Sequence, residues 1–138
     1  MEKKLRIVSL VLFGAALLLP THCTNVECSG LGSGFGLLLL GWFTALGGGV
    51  SFAWFANPLY FIALRYSKKE PVVSIGFALI AIFIAQTFLD GGELLLNEAG
   101  HKAYITKIQI GYWFWLGSMI VILFASGFEI IERRKRVA

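Results

Sequence analysis

GFGLLLLGWFTALGGGVSFAWFANPLYFIAL, the stretch from Gly34 to Leu64, carries no formal charge. A helix needs only about 20 apolar residues to cross a hydrocarbon core of about 30 Å, so this run has length to spare. As one straight helix, residues 35–64 would extend about 45 Å at 1.5 Å per residue. Two helix breakers sit inside the run, the triplet Gly47, Gly48 and Gly49 and the step Asn57-Pro58. The stretch therefore reads as a membrane segment that is bent or broken near those positions, with an outer piece over 35–46 and an inner piece over 50–65. A steeply inclined or bent single crossing satisfies both lengths.

The rest of the chain repeats the theme. Of its 138 residues 57% are hydrophobic and only 14% charged, and the charges gather in a few clusters. Such a composition describes a single membrane domain, residues 1–138. Four spans are expected, over about 5–20, 35–64, 72–89 and 108–131, with outer loops 21–34 and 90–107. The fold class predicted is all-α, a polytopic integral membrane protein with four transmembrane helices. The first segment follows Lys3, Lys4 and Arg6 in the manner of a signal peptide, yet Leu19-Pro20-Thr21-His22 lacks the small residues of a cleavage site, so an uncleaved anchor is expected.

Orientation follows from the basic residues. Lys3, Lys4 and Arg6 precede the first span, Arg65, Lys68 and Lys69 lie between the second and third, and Arg133 to Arg136 follow the fourth. The opposite loops hold only Lys102 and Lys107, beside Glu27, Asp90, Glu93 and Glu98. Both termini are then cytoplasmic by the positive-inside rule. The basic inner loops suit a bacterial inner membrane. The net charge of +4 expresses topology and attraction to anionic headgroups, and nucleic acid is not expected as a partner. Tyr112, Trp113 and Trp115 near the outer end of the last span, and Tyr60 and Tyr66 near the inner end of the second, match the interfacial preference of aromatic rings.

Cys23 and Cys28 share the first outer loop, where an extracytoplasmic compartment permits a structural disulfide. Their spacing is wider than Cys-x-x-Cys and there is no third cysteine, which disfavours thiol exchange. His22, Cys23, Glu27 and Cys28 are of ligand type but crowd into seven residues, not a recognised zinc spacing, so no metal and no other cofactor are expected. No nucleophile–base set or carboxylate pair lies within a span, and no catalytic residue is assigned. A constellation of His22, His101, Asp90 and Glu93 would rest on loop proximity alone.

The residues singled out for contact with a partner or substrate are Trp54, Asn57, Pro58, Gln86, Asp90 and Glu93. Pro58 removes a backbone donor and frees the carbonyl of Trp54, which needs another partner inside a bilayer. Asn57 is the polar group best placed to supply one, or to meet a substrate at a broken helix. Gln86 and Asp90 mark the outer end of the third span, where Ala78, Ala81 and Ala85 form a small-residue stripe that allows close helix approach. Glu93 opens the pattern Glu93-Leu94-Leu95-Leu96-Asn97-Glu98-Ala99, which predicts a short interfacial helix closed by Gly100. With the disulfide loop it would form an outer cap.

Three classes of function fit. Four spans at this length resemble the small multidrug transporters, which work as dimers. That resemblance implies a proton-coupling glutamate in the first span, whereas residues 5–20 contain no acid. Immunity proteins and small subunits of membrane complexes are similar in size and topology only. The reading adopted is a small non-enzymatic inner-membrane protein acting by helix packing or partner binding, its partners being the lipid bilayer, a membrane or envelope protein, or its own copies. A small oligomeric transporter or channel is the alternative, and an extracytoplasmic-face enzyme or redox protein the second alternative.

Overall fold

The structure is a computed structural model that describes residues 1–46, 49–95 and 100–138. The elements run α1 (Glu2–Leu18), β1 (His22–Thr24), α2 (Ser33–Ala45), a 3₁₀ segment (Gly49–Phe55), α3 (Ala56–Tyr66), α4 (Pro71–Gln86), a second 3₁₀ turn (Thr87–Asp90), β2 (Glu93–Leu95), β3 (Lys102–Ile108) and α5 (Ile110–Val137). The protein is thus mostly helical with a small three-stranded sheet. Among the described residues two helices are long and apolar enough to cross a membrane, Pro71–Asp90 and Ile110–Val137, and a third crossing is reached if the bent pair Ser33–Ala45 and Val50–Tyr66 counts as one.

Helices α1, α3, α4 and α5 pack around a core made small by alanine and serine. Ala56, Ala63, Ala78, Ala81, Ala85 and Ala125 are fully buried, so the backbones approach closely. The serines satisfy themselves across the gaps. Ser9 donates to the Ser118 carbonyl at 2.7 Å and meets the Tyr60 hydroxyl at 2.9 Å. Ser74 donates to the Ala63 carbonyl at 2.6 Å and touches the Ser126 hydroxyl at 2.8 Å. Ser118 and Ser126 bond their own helix, at the Trp115 and Ile122 carbonyls.

The three basic clusters meet at one end of this bundle. Arg6 pairs with Glu129 at 2.8 Å and donates to the Ser67 carbonyl at 3.3 Å, while Arg133 reaches Glu129 at 3.1 Å and the Lys68 and Lys69 carbonyls. At the other end the Gly111 amide donates to the Pro20 carbonyl at 2.8 Å and the Gln109 amide to that of Thr21 at 2.9 Å. A Cβ on Gly111 would stand 2.6 Å from the Pro20 oxygen, so glycine is what lets the two chain segments close there.

Two expectations are corrected. The region from Glu93 is not an interfacial helix: Glu93–Leu95 is a strand, antiparallel to β3 with Glu93 opposite Tyr104 and Leu95 opposite Lys102. Residues 96–99 lie outside the described residues. The β-branched and aromatic run Tyr104, Ile105, Thr106 and Ile108 favours a strand, and it recruits both neighbours to give the order β1-β3-β2. Gly100, in the β2–β3 connection, has a left-handed φ of 81°. The expected cap is a small sheet where it is described, and the all-α class becomes mostly helical.

The second correction concerns residues 35–64, where one of the two expected breaks is absent. Ser33–Ala45 and Val50–Tyr66 are turned by 118° from one another, a broken span or a re-entrant loop. Gly49 opens the 3₁₀ segment, and Gly47 and Gly48, the rest of the expected break, lie outside the described residues. No break occurs at Asn57-Pro58, because Pro58 falls in the first turn of α3, where a missing N–H costs little.

Candidate functional site

The site is built from Asn57 upward. Its Nδ2 donates to the freed Trp54 carbonyl at 3.0 Å, and its Oδ1 accepts from Trp115 Nε1 at 2.8 Å. The same side chain therefore repairs the proline defect and fastens α3 to α5. Trp54 turns back onto α2, donating from Nε1 to the Leu38 carbonyl at 3.0 Å. Gly41 makes room for that indole: a Cβ there would lie 2.6 Å from Trp54 Cδ1. Two helical turns earlier on the same face, a Cβ on Gly34 would lie 2.4 Å from the Ala16 carbonyl oxygen. Glycine thus seats α2 against α1 at one point and against the 3₁₀ segment at the other. The opposite side of α2 leaves Phe35, Leu39, Leu40, Trp42 and Phe43 exposed.

Between α2 and the bundle lies a cavity of about 440 Å³. Leu17, Leu38, Val50, Phe88, Tyr112 and Trp115 supply apolar and aromatic walls, and Thr21, His22, Ser33, Thr44, Ser51 and Asn57 the polar ones. No charged side chain of the described residues lines it. Most of the polar hydrogens are already used. Tyr112 donates to the Ala85 carbonyl at 3.0 Å and Thr44 to that of Gly41 at 3.0 Å, besides the two indoles described above.

His22 completes the polar lining at the sheet. It leads β1, is only 8% exposed, and forms a T-shaped ring pair with Phe88 at 5.7 Å between centroids. Its Nδ1 lies 2.8 Å from the Thr21 hydroxyl, whereas Nε2 has no hydrogen-bond partner among the described residues. Burial pushes the imidazole pKa down, which keeps the ring neutral. Ser29 braces this corner by accepting the Thr21 and His22 amides at 2.9 and 3.1 Å. The Cys23–Cys28 disulfide closes the loop that carries it.

Of the six contact residues read from sequence, the structure brings Trp54 and Asn57 into the cavity wall, with Pro58 beside them in α3. Gln86, Asp90 and Glu93 are exposed and lie outside it. Glu93 is held by Lys102 and by the Tyr104 hydroxyl at 3.1 Å, contacts that keep its carboxyl below the usual range and raise the Lys102 ammonium. Sequence reading missed the role of Trp115, and weighed His22 only as a metal-type ligand or as part of an outer-loop constellation. Among the described residues no group of three or more His, Cys, Asp or Glu side chains is placed to hold a metal ion. Comparison of the chain with protein families, curated proteins and solved structures finds no match.

Proposed function

We propose that this is a non-enzymatic binding protein of a bacterial inner membrane, crossing it four times with both termini cytoplasmic, whose partner is a small apolar molecule held between α2 and the bundle. The observation that carries the reading is the uncharged cavity of about 440 Å³, a size and lining typical of sites for small ligands. Its side wall, α2, has an apolar outer face and so meets lipid, which gives a membrane-dissolved molecule a route to the cavity. The gathering of Arg6, Arg133 and the Lys68–Lys69 carbonyls at one end supports the four-crossing topology, since it puts every basic cluster on one side.

The accessory or immunity-type reading is favoured by one feature, the aromatic outer face of α2, where Trp42 stacks on Phe43 at 3.6 Å. The two readings separate in one experiment. The protein, tagged and expressed at native level, is extracted into lipid nanodiscs and weighed by native mass spectrometry. A stoichiometric small molecule in the organic extract is the expected result. A stoichiometric foreign protein gives the accessory role, and a self-assembled species without small molecule gives a transporter or channel. Reporter fusions after Ser67 and at Ala138 are expected to report cytoplasm at both points; an outer C-terminus overturns the four-crossing topology.

A further inference from the structure

We propose that Gly36 is the doorway of this cavity, through which an alkyl chain of a bilayer lipid enters sideways while its polar head stays outside. The inference rests on the cavity reading above and adds the route and the chemical class of the occupant. Ser33, Gly36, Leu37, Leu40 and Thr44 all stand in the cavity wall, and they recur at helical spacing, so they share one flank of α2. Gly36 and Leu40 are exposed, whereas every other described residue of the wall is buried or half-buried. The cavity therefore reaches the surface along this flank. The four described glycines of the wall differ in what they make room for. A Cβ on Gly34, Gly41 or Gly111 would stand 2.4, 2.6 or 2.6 Å from a neighbouring atom, but one on Gly36 would meet nothing within 4 Å. Gly36 has no positive φ either. Neither close packing nor backbone conformation calls for glycine there, and glycine weakens a helix. What its bare backbone leaves is open space at the point where the cavity meets the surface.

The surroundings and the lining name the occupant. Leu39, Leu40 and Phe43, the next residues along that side of the helix, are exposed and apolar, so the doorway opens toward the hydrocarbon of the bilayer. Inside, no charged side chain of the described residues faces the cavity, and a charged head group taken in would go uncompensated. The indoles of Trp54 and Trp115 and the hydroxyls of Thr44 and Tyr112 already donate to the protein itself. An alkyl chain asks for none of these groups. It is also what the bilayer presents at the doorway, and it can enter while still joined to its head.

The test uses the full chain in nanodiscs, with Trp42→Phe and Trp113→Phe at two exposed positions, so that Trp54 and Trp115 in the cavity wall are the only indoles left. The probe is phosphatidylcholine with bromine on its chains, which quenches an indole on contact. Quenching of the two wall indoles is expected, and it is expected to be the same when phosphatidylglycerol with identical chains replaces phosphatidylcholine, because the head stays outside. Gly36→Leu, which places a side chain in the doorway, is expected to abolish the quenching, and Leu39→Phe on the lipid face to leave it unchanged. Quenching that survives Gly36→Leu in full, or that depends on the head group, overturns the proposal. Absence of quenching by both brominated lipids also overturns it, and native mass spectrometry of the same sample then separates the two readings: a stoichiometric small molecule other than lipid leaves the cavity reading standing, and its absence ends both. Should Gly36→Leu not fold, Gly36→Ala takes its place, since its methyl meets nothing within 4 Å; reduced quenching is expected, and unchanged quenching overturns the proposal.

Discussion

At the residue scale the decisive group is Asn57. Two independent demands meet in one amide, the Trp54 carbonyl left by Pro58 and the Trp115 indole arriving from α5. Both groups are polar and sit in a hydrophobic setting, where an unpartnered donor or acceptor is penalised. Asn57→Ala is therefore expected to cost about 2 kcal/mol, leaving both partners unsatisfied. Trp115→Phe removes only one of the bonds and keeps the aromatic wall, so it is expected to cost about 1 kcal/mol. The double variant is expected to cost less than the sum, with a coupling of about 1 kcal/mol in unfolding by sodium dodecyl sulfate in mixed micelles. Strict additivity means the Asn57 amide does not clamp the two helices. Pro58 costs little in the first turn of α3, because the one carbonyl it leaves without a donor, that of Trp54, is answered by Asn57 Nδ2.

At the scale of elements, α2 makes the cavity, and its place is set by two missing side chains. The Trp54 ring cannot swing away from an added Cβ at Gly41 without losing its bond to the Leu38 carbonyl. Gly36, on the same helix, has nothing within 4 Å of such a Cβ. Alanine favours a helix over glycine by about 1 kcal/mol, so Gly36→Ala is expected to be neutral or slightly stabilising. Gly41→Ala is expected to destabilise by about 1–3 kcal/mol through overpacking and to shift the tryptophan emission as Trp54 is displaced. Equal behaviour of the two variants in thermal unfolding would mean that α2 does not depend on the Gly41–Trp54 contact. This explains what the sequence could and could not reveal. The helices and their small-residue core were legible because length, charge and the Ala78, Ala81 and Ala85 spacing are local signals. The fold-back of α2 was not, because Gly41 has meaning only beside Trp54. The sheet was hidden for a similar reason: β2 is three residues long and acquires its pairing from β3, whereas a leucine run ending in glycine reads locally as a helix. His22 lost its identity to its neighbours, two cysteines and a glutamate that suggest a metal, and only the sheet register turns it inward.

At the scale of the whole molecule, the polar groups are divided between two ends. One end holds the sheet, the disulfide and His22, and the other holds the basic clusters wrapped around Glu129. That carboxylate is only 8% exposed and lies between Arg6 and Arg133, the first of which is itself 16% exposed. Through Ser67, Lys68 and Lys69 the same arginines grip the α3–α4 connection, so three chain segments distant in sequence are tied by one acid. Removing the acid strands two arginines against each other, and the buried one has the least access to water. Glu129→Ala is expected to destabilise by about 3 kcal/mol, since losing one partner of a buried pair costs more than the pair itself contributes. Arg6→Ala added to it is expected to recover part of that loss, because no uncompensated charge then remains inside the bundle. Arg133→Ala alone is expected to cost under about 1 kcal/mol, its side chain being 44% exposed and screened. The measurement is the same unfolding titration in mixed micelles, repeated at high salt. A salt-insensitive Arg6–Glu129 coupling and a salt-sensitive Arg133 contribution are the expected pattern. If all three variants respond alike, the acid is a surface charge in solution and the helical ends are held by packing alone.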